Sequence, residues 1–272
     1  MQLVPKCLLA VCALSATASA QFIDSVINYQ PGTTAAAGYT NTSAVLGGPS
    51  AQTVDPTFGT SPVDPFSPPY LKTQLLSVGA NGSLTVHFAT PVLNLPGNPF
   101  GIDFSVFGDT GFVITNGDFS GGGITDGTLF GNNTGSTRVS VSADGVTYYT
   151  LNPSLAPIVD AGLPTDGNGN PMITLDPALK GTAFSGKNLD QIRALYKGSA
   201  GGAGYDIAWA QDANGNAVAL DKINFVKIDV LSGHSEIDAL VAVPEPTTLL
   251  LTSLGGLALF VASRKFRRNE RA

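Results

Sequence analysis

Residues 81–88, Asn81-Gly82-Ser83-Leu84-Thr85-Val86-His87-Phe88 (NGSLTVHF), hold the pattern that decides the fold. From Ser83 to Phe88 polar and apolar residues alternate strictly, the two-residue period of a strand with one buried face. Asn81-Gly82, just before it, is a turn dipeptide. His87 falls on the polar side with Ser83 and Thr85, so it reads as a surface histidine.

The same alternation recurs outward from this strand. Ile102, Phe104 and Val106 share one face of a strand over 102–107. Arg138–Ser142 and Val146–Leu151 flank Ala143-Asp144-Gly145, so 138–151 reads as a hairpin with Asp-Gly at its turn. Ile223–Val230 and Ile237–Val243 supply two more strands, the first with Lys227 and Asp229 turned outward. The chain holds 32 Gly and 18 Pro, and turn signals spaced so often favour an antiparallel sandwich or barrel over any βαβ scheme. One short helix is expected over Leu189–Tyr196, capped by Asn188 and ended by Gly198–Gly204. The Pro-rich stretch 54–69 reads as an ordered surface loop punctuated by Phe58, Phe66 and Tyr70, with a flexible linker as the alternative.

The two ends have a different character. Lys6 precedes the apolar run Cys7–Leu14, and Ala18-Ser19-Ala20 forms a small-residue cleavage site, so residues 1–20 read as a secretory signal cut after Ala20. At the other end, Thr247–Ala262 carries no charge. As a helix, that run spans about 24 Å against a hydrocarbon core of about 30 Å. Arg264, Lys265, Arg267 and Arg268 follow at once, and they can snorkel to the interface and hold the tail in the cytoplasm as a stop-transfer signal. A transmembrane helix is therefore expected over 247–263, with a basic tail at 264–272.

Both cysteines lie in the predicted signal, so a folded body over 21–242 has to rely on its own core without disulfides. Residues 21–243 hold 8 Lys plus Arg against 18 Asp plus Glu, a net of −10, and 17 of the acids are Asp. That charge argues against nucleic acid as a partner. The preference for Asp over Glu suits turns.

Catalytic signatures are sparse. No G-x-S-x-G, H-E-x-x-H or C-x-x-C occurs. His234 reads as a loop residue ahead of the last strand. Asp103, Asp109, Asp118 and Asp126 lie close enough in sequence to supply a glycosidase carboxylate pair, although Asp scattered through turns gives such clusters without catalysis. Asp166-Gly167-Asn168-Gly169-Asn170 and Asp212-Ala213-Asn214-Gly215-Asn216 resemble the start of a calcium loop. Pro171 and Ala217 then stand where its glycine belongs, and Pro177 and Ile223 where its bidentate Glu belongs, so plain turns are expected and no metal or other cofactor. Trp209, Tyr148, Tyr149 and Tyr205 are the aromatics that could stack on sugar rings, with core packing as the alternative.

Val243-Pro244-Glu245-Pro246, the short apolar span and the Arg-rich end together resemble a PEP-CTERM sorting signal, also called the ice-binding protein C-terminal domain, over residues 243–268. The resemblance implies an exported bacterial surface protein whose partner is an exosortase, a membrane-embedded transpeptidase-like enzyme. It also implies transient anchoring at the inner membrane and an association with exopolysaccharide and biofilm matrix. Pro246 suits a helix start and Pro244 keeps the preceding backbone extended, so Pro-Glu-Pro forms a stiff recognition segment between body and anchor. Arg138–Gly145, Gly204–Ala210, Phe225–Val230 and Glu236–Ala239 resemble the galactose-binding-like jelly roll of other such surface proteins. That resemblance implies a structural or saccharide-binding role and names no catalytic residue; a carbohydrate-active hydrolase is the alternative.

Overall fold

The computed structural model describes residues 21–131 and 135–244. The signal with Ala18 and Ala20, the Glu245-Pro246 half of the motif, the predicted membrane helix and Arg264, Lys265, Arg267 and Arg268 lie outside them. Among the described residues no helix is long and apolar enough to cross a membrane.

Beside three two-stranded ribbons, two larger antiparallel sheets enclose the main core of the described body. Their strands in chain order are β1 (Gln21–Phe22), β2 (Ser25–Gln30), β3 (Leu76–Gly79), β4 (Gly82–Leu93), β5 (Phe104–Gly108), β6 (Thr137–Ser142), β7 (Tyr149–Leu151), β8 (Ala203–Tyr205), β9 (Ala210–Gln211), β10 (Lys222–Val230) and β11 (His234–Ala242). One sheet runs β1-β11-β5-β8, with β3 beside the first half of β11; the other runs β9-β7-β6-β10-β4-β2. Gln21 pairs with Ala242, so the first and last strands of the body are neighbours.

The alternation in 83–88 has the predicted consequence. Leu84, Val86 and Phe88 are buried between the sheets, together with Val139, Val141, Val226 and Ile228 of the same sheet and Leu76, Val78, Phe104, Val106, Tyr205 and Leu240 of the other. Burying such side chains contributes about 1.5–3 kcal/mol each, which is what a body without disulfides depends on. Asn81, at a left-handed φ of 61°, turns the chain from β3 in one sheet to β4 in the other, so Asn-Gly makes a corner between sheets.

The helix, α1 (Leu189–Tyr196), begins with a capping box in which Asn188 accepts from the Gln191 N–H and Gln191 accepts from the Asn188 N–H. Ile192 and Tyr196 are buried against Phe112 and Phe184 in a second, smaller cluster.

Four boundaries differ from the sequence reading. The strand expected over 102–107 is Phe104–Gly108: Ile102 closes a short turn by donating its N–H to the Pro99 carbonyl, and Asp103, whose main chain bonds Tyr205 and Val243, leads into the strand. The 138–151 hairpin has no two-residue turn. Asp144 Oδ1 accepts from the N–H groups of both Val146 and Thr147, which widens the loop and leaves Val146 82 % exposed. The Pro-rich stretch contains a small ribbon, Gln52–Asp55 against Gly59–Pro62, closed by Asp55 accepting from Thr57 and Phe58. His234 opens β11 rather than preceding it, paired with Gly79.

Candidate functional site

The last strand delivers the chain straight to the Pro-Glu-Pro segment. β11 ends at Ala242, and the N–H of the buried Val243 still donates to the Asp103 carbonyl at 2.8 Å. Asp103 is itself locked in place, accepting from Leu95 N–H at 3.1 Å, Asn98 Nδ2 at 2.9 Å and Ile207 N–H at 2.9 Å. Pro244 comes next and, lacking an N–H, cannot extend the ladder. No linker separates the fold from the segment.

A second feature lies beside the edge strands β8 and β9. A cleft of about 180 Å³ is lined by Ile102, Leu155, Leu163, Asp176, Lys180, Gly202–Gly204 and Trp209. The local sequence explains how the tryptophan gets there. Tyr205 enters the core, stacked on Phe104 with ring centroids 5.2 Å apart, and its hydroxyl donates to the Pro157 carbonyl. Asp206 then caps a short turn by accepting from the Ala208 N–H at 2.7 Å, and Ile207 is buried. Trp209 follows, half-buried, with its carbonyl accepting from Asn152. Gly202, at φ 84°, lets the strand approach so closely that a Cβ there would lie 2.9 Å from the Val106 carbonyl oxygen. Lys180 Nζ donates to the Pro177 carbonyl at 3.0 Å, which fixes a cation in the loop that forms one wall. Of the predicted stacking aromatics, Trp209 reaches this cleft; Tyr205 is fully buried, and Tyr148 and Tyr149 are half-buried elsewhere.

The four carboxylates that sequence spacing grouped are dispersed. Asp103 serves the core as above, and burial pushes it up to about 6 against the pull of the Ile207 and Leu95 N–H groups. Asp118, half-buried, and Asp126, exposed, are turn residues that accept from Ser120 and Thr128. Asp109 instead meets two acids that the spacing did not single out, Glu236 and Asp160. Burial, then the neighbouring Glu236 and Asp160 carboxyls, raise Asp109 well above the ordinary carboxylate range, and its buried Oδ1 has no partner among the described residues. Burial likewise pushes Asp160 up to about 7, although Ser235 donates to it at 2.7 Å. The signal for this group was available: Glu236 is the single Glu among the 18 acids of residues 21–243.

The two calcium-like turns have their carboxylates occupied. Asp166 is buried and forms a two-point ion pair with Arg193 of α1, at 2.7 and 3.0 Å. Asp212 Oδ1 accepts from the N–H groups of Asn214 and Asn216, and its Oδ2 from the Asn216 amide. Millimolar calcium is therefore expected to leave the melting temperature unchanged. A ligand at 100 times its Kd adds about 2.7 kcal/mol, so a rise of several degrees with calcium and none with magnesium would expose a site these turns do not explain. His87 is half-buried rather than free, its Nδ1 2.8 Å from Asp24 and its ring tilted against Phe225.

Comparison with known families adds to the exit geometry. The family model described as the PEP-CTERM protein-sorting motif matches residues 242–268, beginning at the last residue of β11. Residues 242–268 thus resemble a PEP-CTERM sorting motif. No curated protein matches the chain. The PEP-CTERM motif implies an exosortase as the processing partner and an exported protein sorted to the surface.

Proposed function

We propose that this is a cell-surface or extracellular-matrix protein, held at the inner membrane by its tail until an exosortase acts at Pro244-Glu245-Pro246, whose body then binds exopolysaccharide through the Trp209 cleft without catalysing its turnover. The observation that carries the sorting half is the junction itself: the PEP-CTERM match begins on Ala242, the last residue of β11, so the recognition segment follows directly on a finished fold. The galactose-binding-like pattern in the sequence agrees with a body of two packed antiparallel sheets.

The saccharide reading is supported by the cleft's chemistry. Sugar rings present apolar faces and a rim of hydroxyls, and the cleft offers a half-buried indole, aliphatic walls, a carboxylate and an ammonium. Among the described residues the indole N–H makes no hydrogen bond to protein, which leaves a donor for a hydroxyl. The reading without turnover rests on the dispersal of the carboxylates that sequence spacing grouped: Asp103 is tied to core N–H groups, while Asp118 and Asp126 accept from their own turns.

A glycan array probed with the full-length protein in detergent tests this, with release of reducing ends monitored in the same wells. Binding is expected without release, and Trp209→Ala should weaken it tenfold or more, the loss of a buried aromatic anchor worth about 2 kcal/mol. Undiminished binding by Trp209→Ala would remove the cleft from the account. Reducing-end release that Asp109→Asn abolishes would replace the binding module with a hydrolase.

A further inference from the structure

The outer face of the six-stranded sheet carries a groove of about 370 Å³ that is chemically unlike the rest of the body. Strand register builds it. Arg138 lies opposite Asp229, Asp229 opposite Ser83, and Ser83 opposite Gln30, so these four side chains form one row across β6, β10, β4 and β2. Lys227, Thr85 and Asn28 form part of the next row on the same face. Asn81, at the corner between β3 and β4, closes one end.

Charge sets the groove apart. Asp229 accepts from Arg138 Nη2 at 3.0 Å and Nε at 3.3 Å on one oxygen, and from Lys227 Nζ at 2.9 Å on the other. One carboxylate is shared by two cations, and no other acid lines the groove, so it is net positive within a body whose residues 21–243 sum to −10. The remaining guanidinium and ammonium protons have no protein acceptor among the described residues. Neither do the carboxamides of Asn28, Gln30 and Asn81 make a hydrogen bond to protein there. Three amides and two partly used cations thus converge on a space within the range of about 300–1,000 Å³ usual for small-ligand sites.

We infer that this groove binds an acidic saccharide, with a uronate carboxylate seated on Arg138 and Lys227 and ring hydroxyls on Asn28, Gln30, Asn81 and Ser83. The matching anion follows from the net charge, and the hydroxyls follow from the density of amides that both donate and accept. The groove contains no aromatic ring to stack a base. Arg138 and Lys227 stand on β6 and β10, inner strands whose main-chain groups are paired on both sides, so an acidic peptide would find no ladder to join beside the two cations. The groove alone carries this inference; the sorting motif and the Trp209 cleft do not enter it.

The test uses the full-length protein in detergent against immobilised polygalacturonate, neutral galactan and polyglutamate. Binding is expected to polygalacturonate only, and it should weaken as salt rises because exposed charges are screened beyond about 8–10 Å. Arg138→Gln, which leaves the Lys227–Asp229 pair in place, and Lys227→Gln should each weaken binding about tenfold, while Asp229→Asn, which removes the groove's one negative charge, should tighten it. Melting temperatures identify any variant that has lost its fold, and the opposite sign expected of Asp229→Asn keeps the test decisive. Trp209→Ala should leave polygalacturonate binding unchanged, which separates this site from the cleft. Equal binding to galactan, equal binding to polyglutamate, no binding to polygalacturonate, or a folded Asp229→Asn protein that binds less tightly would each overturn the inference.

Discussion

Replacement of Pro244, Glu245 and Pro246 by alanine is expected to leave the exported chain at full length in the membrane fraction, while the wild-type chain loses the residues beyond about 246. The fold should not notice the change. Val243 is the last residue tied to the sheet, through its N–H on Asp103, and the core closes without Pro244. What changes is the segment beyond. Proline fixes φ and cannot donate, so the sequence Pro-Glu-Pro opposes helix, whereas alanine has the best helix propensity and would favour helix through 244–246. The segment would lose its shape and its single charge together. Mass spectrometry of the mature C-terminus, from hosts with and without the exosortase, reads the outcome. An intact Ala272 end for the wild-type chain in both hosts would show an ordinary membrane anchor instead of a sorting motif. A second variant separates recognition from retention: deleting Arg264 to Arg271 should weaken membrane retention while leaving Pro-Glu-Pro intact.

Local periodicity made the long strands legible, and little else could. Ser83–Phe88 and Ile223–Val230 each alternate over enough residues to declare a buried face, and both lie in strands that pair with each other. The helix was legible because Asn188 is a good N-cap and Gly198–Gly204 a stop, and the structure adds Gln191, which completes the capping box. The edge strands were not. Gln21–Phe22, Ala203–Tyr205 and Ala210–Gln211 have two or three residues each, too few to show a period, and Gln21 finds Ala242 across the whole length of the body. Outer-face polarity was also misleading at Ser83 and Thr85, which are polar yet buried under their neighbours on the sheet. The candidate sites divide along the same line. The sorting motif is contiguous, so order and spacing carried it. The cleft gathers Ile102, Asp176, Gly202 and Trp209 from four separate loops and strands, and spacing cannot bring those together. Asp166 shows the converse. Its turn sequence looked like a metal loop, and only the arrival of Arg193 from α1 explains what the carboxylate does.

Raising the pH from 5 to 8 is expected to lower the melting temperature by about 10 °C or more, the reverse of what a body rich in turn-bound aspartates suggests. Burial pushes Asp103 up to about 6 and Asp160 and Asp238 up to about 7, and it holds Asp109 higher still beside Glu236. An unfolded aspartate titrates near 4, so between about pH 4 and each folded value the native state keeps a proton that the unfolded chain has released. Stability then falls as pH rises, by about 1.4 kcal/mol per pH unit for each such proton, until that carboxyl ionises in the fold. The groups act at separate places: Asp238 accepts from Ser50, Asp160 from Ser235, Asp103 from Leu95, Asn98 and Ile207, so their effects accumulate. The opposite limb comes from Asp55, Asp118, Asp126, Asp144 and Asp212, which turn N–H and hydroxyl donors hold below the ordinary range, so that stability is lost again as pH falls under about 4. The maximum should therefore lie near pH 4–5. Calorimetric melts across pH 3–9 measure the curve, and Asp160→Asn and Asp238→Asn should each flatten its falling limb, because an amide accepts from the same serine without titrating. A melting temperature that stays level or climbs between pH 5 and 8 would mean that these carboxylates are ionised in the fold and hold no buried proton.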